Sequence, residues 1–178
     1  EIVYREQADG LLRVGTVIRS RARLADESGL WLDPEATSRV ESPDLSASTL
    51  TVLPAVSRPG DVVTFSFALR NEGVRAAAAR LVAPIPGEAE YQPGAAQASS
   101  GTISNTAQAL VWSGTIEPGG TVTIALPLAA RPWAATRYLL LRSSLEDGAG
   151  AVETLEAYAW IKGISFLPLA FWEKWTDR

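Results

Sequence analysis

At 178 residues and 47% hydrophobic content, the chain is long enough for one full domain plus a smaller unit, with the composition of a folded globular protein. Its 16 Lys and Arg against 20 Asp and Glu leave a net charge of −4, which offers no global attraction to nucleic acid phosphates or anionic lipid. His, Cys and Met are all absent, which removes the commonest general base, the usual transition-metal ligand and both sulfur chemistries, so no catalytic residue, cofactor or metal site is expected.

Taken in order, Ile2 to Gln7 is a short strand candidate, and Ala8-Asp9-Gly10 is a turn. Val14 to Leu24 reads as a longer strand, with Arg19, Arg21 and Arg23 on one side; that side is either solvated or a docking face for an acidic partner. Asp26, Glu27, Asp33 and Glu35 lie in loops without the regular ligand spacing of a calcium loop. Thr37 to Val40 is a last short strand, and Glu41-Ser42-Pro43-Asp44 reads as a linker.

A second unit opens with Ser48 to Leu53. The turn at Pro59-Gly60 then leads into the clearest strand of the chain, where Val63, Phe65, Phe67 and Leu69 alternate with Thr64, Ser66, Ala68 and Arg70 up to a turn at Asn71-Glu72-Gly73. The four alanines of Ala76 to Ala79 have helical propensity, but the run is too short between Gly73 and Pro84 for a stable helix, and a strand is expected there. Ser99 to Asn105 reads as a polar surface loop, and Leu110-Val111-Trp112 as a buried strand anchored by Trp112. Thr121 to Leu128, Tyr138 to Leu145 and Val152 to Ile161 complete a set of about seven or eight strands with turn signals every 8 to 12 residues, the pattern of an antiparallel β-sandwich.

Gly15 to Gly29 and Ala135 to Gly150 share an alternating strand and an acidic loop, Arg21 matching Arg142 and Leu24 matching Leu145, at an offset of roughly 120 residues, about one sandwich domain. The N-terminal segment is therefore expected to be the closing strands of a sandwich whose opening strands are absent. Strands of that kind cannot cover their own core, and they leave an apolar sheet with an unpaired edge.

Pro59-Gly60-Asp61, the Asn71-x-Gly73 turn, Trp112 and the Pro118-Gly119 turn together resemble the Ig-like conserved-repeat family of bacterial and archaeal surface proteins, known as domain of unknown function eleven. The likeness runs from about Ser48 to Ile161. It implies an all-β, Ig-like antiparallel sandwich (residues 45–162), preceded by an incomplete Ig-like module (residues 1–44) and followed by a short hydrophobic C-terminal tail (residues 163–178). It also implies a cell-surface or extracellular structural role and no reaction.

The tail places Ile164, Phe166, Leu167, Leu169, Phe171 and Trp172 in one short stretch, too short to span a bilayer and limited by Pro168 to an edge position or to a strand whose N–H there needs no partner. It either folds back over its own chain's N-terminal sheet or sandwich edge, or completes a neighbouring subunit by strand addition. Its FLPL-type ending is similar to that of secreted proteins of some filamentous green bacteria. The leading expectation is a non-catalytic subunit of an extracellular filament or surface array, in which these tail residues, with Val14, Ile18 and Leu24, assemble copies of the chain into a homopolymer by strand complementation. The alternative is an adhesin or carbohydrate-binding module with a glycan or other cell-surface partner, for which Trp31, Tyr91, Trp112 and Trp133 are the sugar-stacking candidates. Among these, Trp112 is expected in the core and Trp31 and Trp133 in loops. The carboxylate pairs Glu88 with Glu90 and Glu146 with Asp147 fall in turns, where their expected part is solvation rather than acid–base work.

Overall fold

The structure, a computed structural model, describes residues 15–25, 27–29, 31–106, 108–131 and 138–162, and every regular element among them is a β-strand. The first four strands are β1 (Val17–Arg21), β2 (Leu24–Ala25), β3 (Trp31–Leu32) and β4 (Glu35–Arg39). They form one hairpin ribbon in a single register, Val17 facing Arg39, Arg21 facing Glu35 and Leu24 facing Leu32. Proline has no N–H to give, and Pro34 sits where the ladder is interrupted, its carbonyl accepting from the Ala22 N–H at 3.1 Å. The expected strand from Val14 to Leu24 is therefore split, and Trp31 lies in a strand of the ribbon rather than in a loop. Ile2 to Gln7 and Val14 lie outside the described residues.

Two sheets make the sandwich. One contains β5 (Thr49–Leu53), β7 (Val62–Arg70), β13 (Thr121–Ala130), β10 (Gln97–Ala98) and β9 (Ala89–Glu90). The other runs in the order β11 (Thr102–Asn105), β12 (Ala109–Ile116), β8 (Ala77–Pro84), β14 (Tyr138–Glu146), β15 (Val152–Ile161) and β6 (Val56–Ser57). The chain changes sheets between β5 and β6, and β6 pairs parallel to the end of β15. The core is the set of inward residues that the period of two selects, including Val63, Phe65, Phe67 and Leu69 on β7, Val122, Ile124, Leu126 and Leu128 on β13, and Leu139, Leu141 and Leu145 on β14.

Local exceptions have local causes. The alanine run is a strand because β8 finds backbone partners on both sides, in β12 and β14. The expected polar loop at Ser99 to Asn105 instead contains β11, an edge strand whose Ile103 faces Trp112 while Thr102 and Ser104 stay exposed. Pro127 sits in the middle of β13. Ala130 exchanges hydrogen bonds with the β7 side, whereas Thr123 and Arg131 bond to the opposite edge, so odd-numbered residues point their N–H groups at β10 and β9. Those two short strands pair only with residues 124–125 and 129–130, and the donor that Pro127 lacks would face the gap between them.

The stretch read as a linker is docked onto the sandwich. Asn71, fully buried, accepts at Oδ1 from the Asp44 and Gly73 backbone N–H groups, both at 3.0 Å. Its Nδ2 donates to the Arg75 and Ile116 carbonyls at 2.7 and 2.9 Å. A Cβ on Gly73 would meet the backbone of Ser42 and Asp44, so glycine is required there for the close approach.

The two hairpins that the sequence offset relates have the same geometry. Arg21 faces Glu35 in the ribbon and Arg142 faces Glu156 in β14–β15, and every pairing in one hairpin maps onto the other with a shift of 121 positions. Both arginines donate through Nε to the glutamate opposite, at 2.9 and 2.8 Å.

Candidate binding face

Of the residues expected to assemble copies, Ile164, Phe166, Leu167, Leu169, Phe171, Trp172 and Val14 lie outside the described residues. Ile18 is half-buried on β1, and Leu24 on β2 is 44% exposed. The three arginines of the ribbon's first arm face acids of the second: Arg21 and Arg19 reach Glu35 at 2.9 and 4.0 Å, and Arg23 reaches Asp33 at 3.0 Å. Exposed pairs of this kind are worth little in stability. They do neutralise the row, and an acidic partner would have to compete with them.

The sugar-stacking candidates mostly fall elsewhere. Trp112 is core, its Nε1 donating to the Ser100 carbonyl at 2.7 Å, with the indole held in a slot left by Gly101 and Gly114. Tyr91 is 7% exposed. Trp133 lies outside the described residues.

A different cluster is presented to solvent. On the outer face of β14 and β15, Tyr138, Tyr158 and Trp160 are 45%, 52% and 49% exposed, large values for aromatic side chains on a paired strand. Tyr138 and Trp160 are cross-strand partners, and both tyrosines meet the Trp160 ring edge to face, with centroids 6.2 and 5.8 Å apart. Leu140, opposite Tyr158, and Val56, opposite Trp160, extend the patch across β6. Further along the same face the pattern turns polar, first Arg142 with Glu156 at 2.7 Å, then Ser144 opposite Thr154. A pattern in the sequence marks this face: Tyr138 has the strand parity of Arg142, and Tyr158 and Trp160 have that of Glu156, while the small Ala157 and Ala159 take the inward parity.

The opposite sheet has an outer trough of about 650 Å³ lined by short side chains such as Thr49, Thr51, Ser66, Ala68, Thr123 and Ala125. Hydroxyls there are used locally, Thr51 donating to the Ser66 carbonyl and Ser99 accepting from the Thr123 N–H. Of the carboxylate pairs expected in turns, Glu90 ends β9 and Glu146 ends β14, and only Asp147 has a side-chain role in a turn. Asp147 is 4% exposed and accepts from the Ala149 and Ala151 N–H groups at 2.7 and 3.0 Å, so it shapes the β14–β15 turn rather than solvating it. Among the described residues, no group of three or more Asp and Glu is placed to hold a metal ion.

By sequence, the chain matches no family model and no curated relative. By structure, it is similar to the N-terminal domain of the Streptococcus gordonii adhesin Sgo0707, with a TM-score of 0.54 at 13% identity over 75% of this chain and 36% of that one. It is also similar to a Corynebacterium diphtheriae protein described as membrane anchored, with a TM-score of 0.54 at 12% identity over 86% of this chain and 46% of the other. The RrgA Jo.In complex gives a TM-score of 0.52 at 6% identity over 71% of this chain and 85% of that one. The fold is an Ig-like β-sandwich. The chain spans less than half the length of the first two structures. On this Ig-like frame the aromatic patch occupies the outside of one sheet, at the end where β15 finishes.

Proposed function

We propose that this chain is a non-catalytic, adhesin-like Ig module of a larger protein on the bacterial cell exterior, and that it holds a glycan on the outer face of β14 and β15. The observation that carries this reading is the contiguous Tyr138–Trp160–Tyr158 cluster, half-exposed and continuous with a row of hydrogen-bonding side chains. An aromatic ring can stack on the C–H face of a pyranose while Arg142 and Glu156, the next pair along the same face, reach its hydroxyls, and Ser144 and Thr154 further along would meet a following sugar unit. The fold does not demand rings at these positions: in the matching ribbon the equivalents are Val17, Thr37 and Arg39, and the hairpin forms with the same register. The likeness to an adhesin domain, and the resemblance of the Pro59-Gly60-Asp61, Asn71-x-Gly73 and Trp112 motifs to conserved-repeat surface domains, support the same placement.

A second reading, a structural subunit of an extracellular filament assembled by strand complementation between copies, is favoured by the exposure of Leu24 and Leu32 on the ribbon, 44% and 60%. Glycan-array binding by the purified chain separates the two. Binding abolished by Trp160→Ala and Tyr158→Ala at unchanged melting temperature is the result expected. An array with no bound glycan, together with regular fibres in electron micrographs, would replace the first reading by the second.

A further inference from the structure

The ribbon is amphipathic in the same sense as the hairpin it repeats. Every charged residue on its strands and in its break, Arg19, Arg21, Arg23, Asp33, Glu35 and Arg39, has the parity of Arg142 and Glu156, which point to solvent. The other parity has no charge at all: Ile18, Ser20, Ala22 and Leu24 on one arm and Leu32, Pro34, Ala36 and Ser38 on the other, with Val40 following. Shifted by 121 positions, Ile18, Ser20, Ala22 and Leu24 become Leu139, Leu141, Ser143 and Leu145, and Pro34, Ser38 and Val40 become Leu155, Ala159 and Ile161. All of these are between 0% and 9% exposed beneath the opposite sheet. A hairpin whose register and cross-strand ion pair match those of a core-covering hairpin, and whose uncharged face holds Leu32 where that one has the half-buried Glu153 and Ala36 where it has Ala157, has the surface of one. Its uncharged face nevertheless remains open at Leu24 and Leu32.

We propose that the ribbon Val17–Arg39 is the closing hairpin of a second Ig-like module, and that its uncharged face docks against that module's opposite sheet, the equivalent of β5, β7 and β13. The occupant is not another copy of this chain's sandwich. In each copy the corresponding place is already filled by β14 and β15, which bring Leu141 and Leu155 where the ribbon has Ser20 and Pro34. Exchanging hairpins between copies would trade two buried leucines for a serine and a proline, and burial of apolar area would fall. The covering layer is therefore an apolar antiparallel sheet shaped for smaller side chains than those of β14 and β15. This inference is independent of the glycan reading, since it concerns the other hairpin and the other face.

The test transplants the ribbon within the full chain, Val17 to Val40 replacing Tyr138 to Ile161 position for position. The expected result is a monomer that unfolds cooperatively in urea at a lower midpoint than the parent, with the midpoint raised when Ser20→Leu and Pro34→Leu are added to the transplanted segment. The same transplant moved one residue out of step, Thr16 to Arg39, turns the charged face into the core and is expected not to fold. A correctly registered transplant that stays unfolded even with both leucines restored overturns the proposal. So does sedimentation of the unaltered chain as a dimer or polymer that Leu24→Asp and Leu32→Asp dissociate, because a second copy would then be the occupant.

Discussion

Asn71 uses its whole hydrogen-bonding capacity inside the protein, two donors and two acceptors, and in doing so joins the segment before β5, the turn after β7 and the end of β12. Asn71→Ala would leave two backbone N–H groups and two carbonyls without their partner in a dry site. A loss of about 3 kcal/mol is expected from urea unfolding, well above an ordinary surface change. Its position was readable as a turn residue before Gly73, but its role as a hub was not, because three of its four partners lie at or beyond the fourth neighbour and one is 45 residues away. Asp44, in the same region, accepts from the Ser46 hydroxyl at 2.6 Å and from the Ser46 N–H at 3.0 Å, which lowers its pKa below the ordinary 3.8. A depressed folded-state value contributes stability above the ordinary carboxylate range, and that contribution disappears as pH falls through the lowered value. Ser46→Ala is therefore expected to reduce stability slightly at pH 7 and by progressively less as pH falls below the ordinary carboxylate range, as read by melting temperature across a pH series.

Among elements, β7 and β13 were the plainest in the sequence because strict alternation and paired turn residues act over neighbours in the chain. The β11 strand was read as a loop because its residues are polar, and polarity is what an edge strand with one solvated face requires. Pro127 cannot donate to a ladder partner, and it fits within β13 because β10 and β9 leave a gap on that edge. The ribbon and β14–β15 are nearly the same element in different surroundings. A lone two-stranded ribbon is marginal in water. Hydrogen exchange is expected to show the amides of β1 and β4 opening fast and those of β7 and β13 opening slowest, near the global limit. Comparable protection in both would show that the ribbon is covered in solution by a surface of the same chain or of a copy.

Across the whole molecule, the same leucine in the same register has two fates. Leu145 is fully buried between the sheets, and its ribbon counterpart Leu24 is 44% exposed. Leu145→Ala is expected to cost about 2–5 kcal/mol and Leu24→Ala about 0.5 kcal/mol or less, measured by denaturant unfolding of each variant. A large cost at Leu24 would mean that the ribbon already has its covering layer in the isolated chain.

By itself, the sequence determined that this is an all-β chain with one strand and its acidic loop repeated roughly 120 residues apart, because side-chain alternation, turn chemistry and composition are local properties. The tertiary structure alone decided which strands pair and which sheet each joins, that three aromatic rings from β14 and β15 meet on one outer face, and that the first hairpin is exposed at Leu24 and Leu32. The reason is physical: burial and cross-strand contact depend on which sheet lies opposite, and residues far apart in the chain set that.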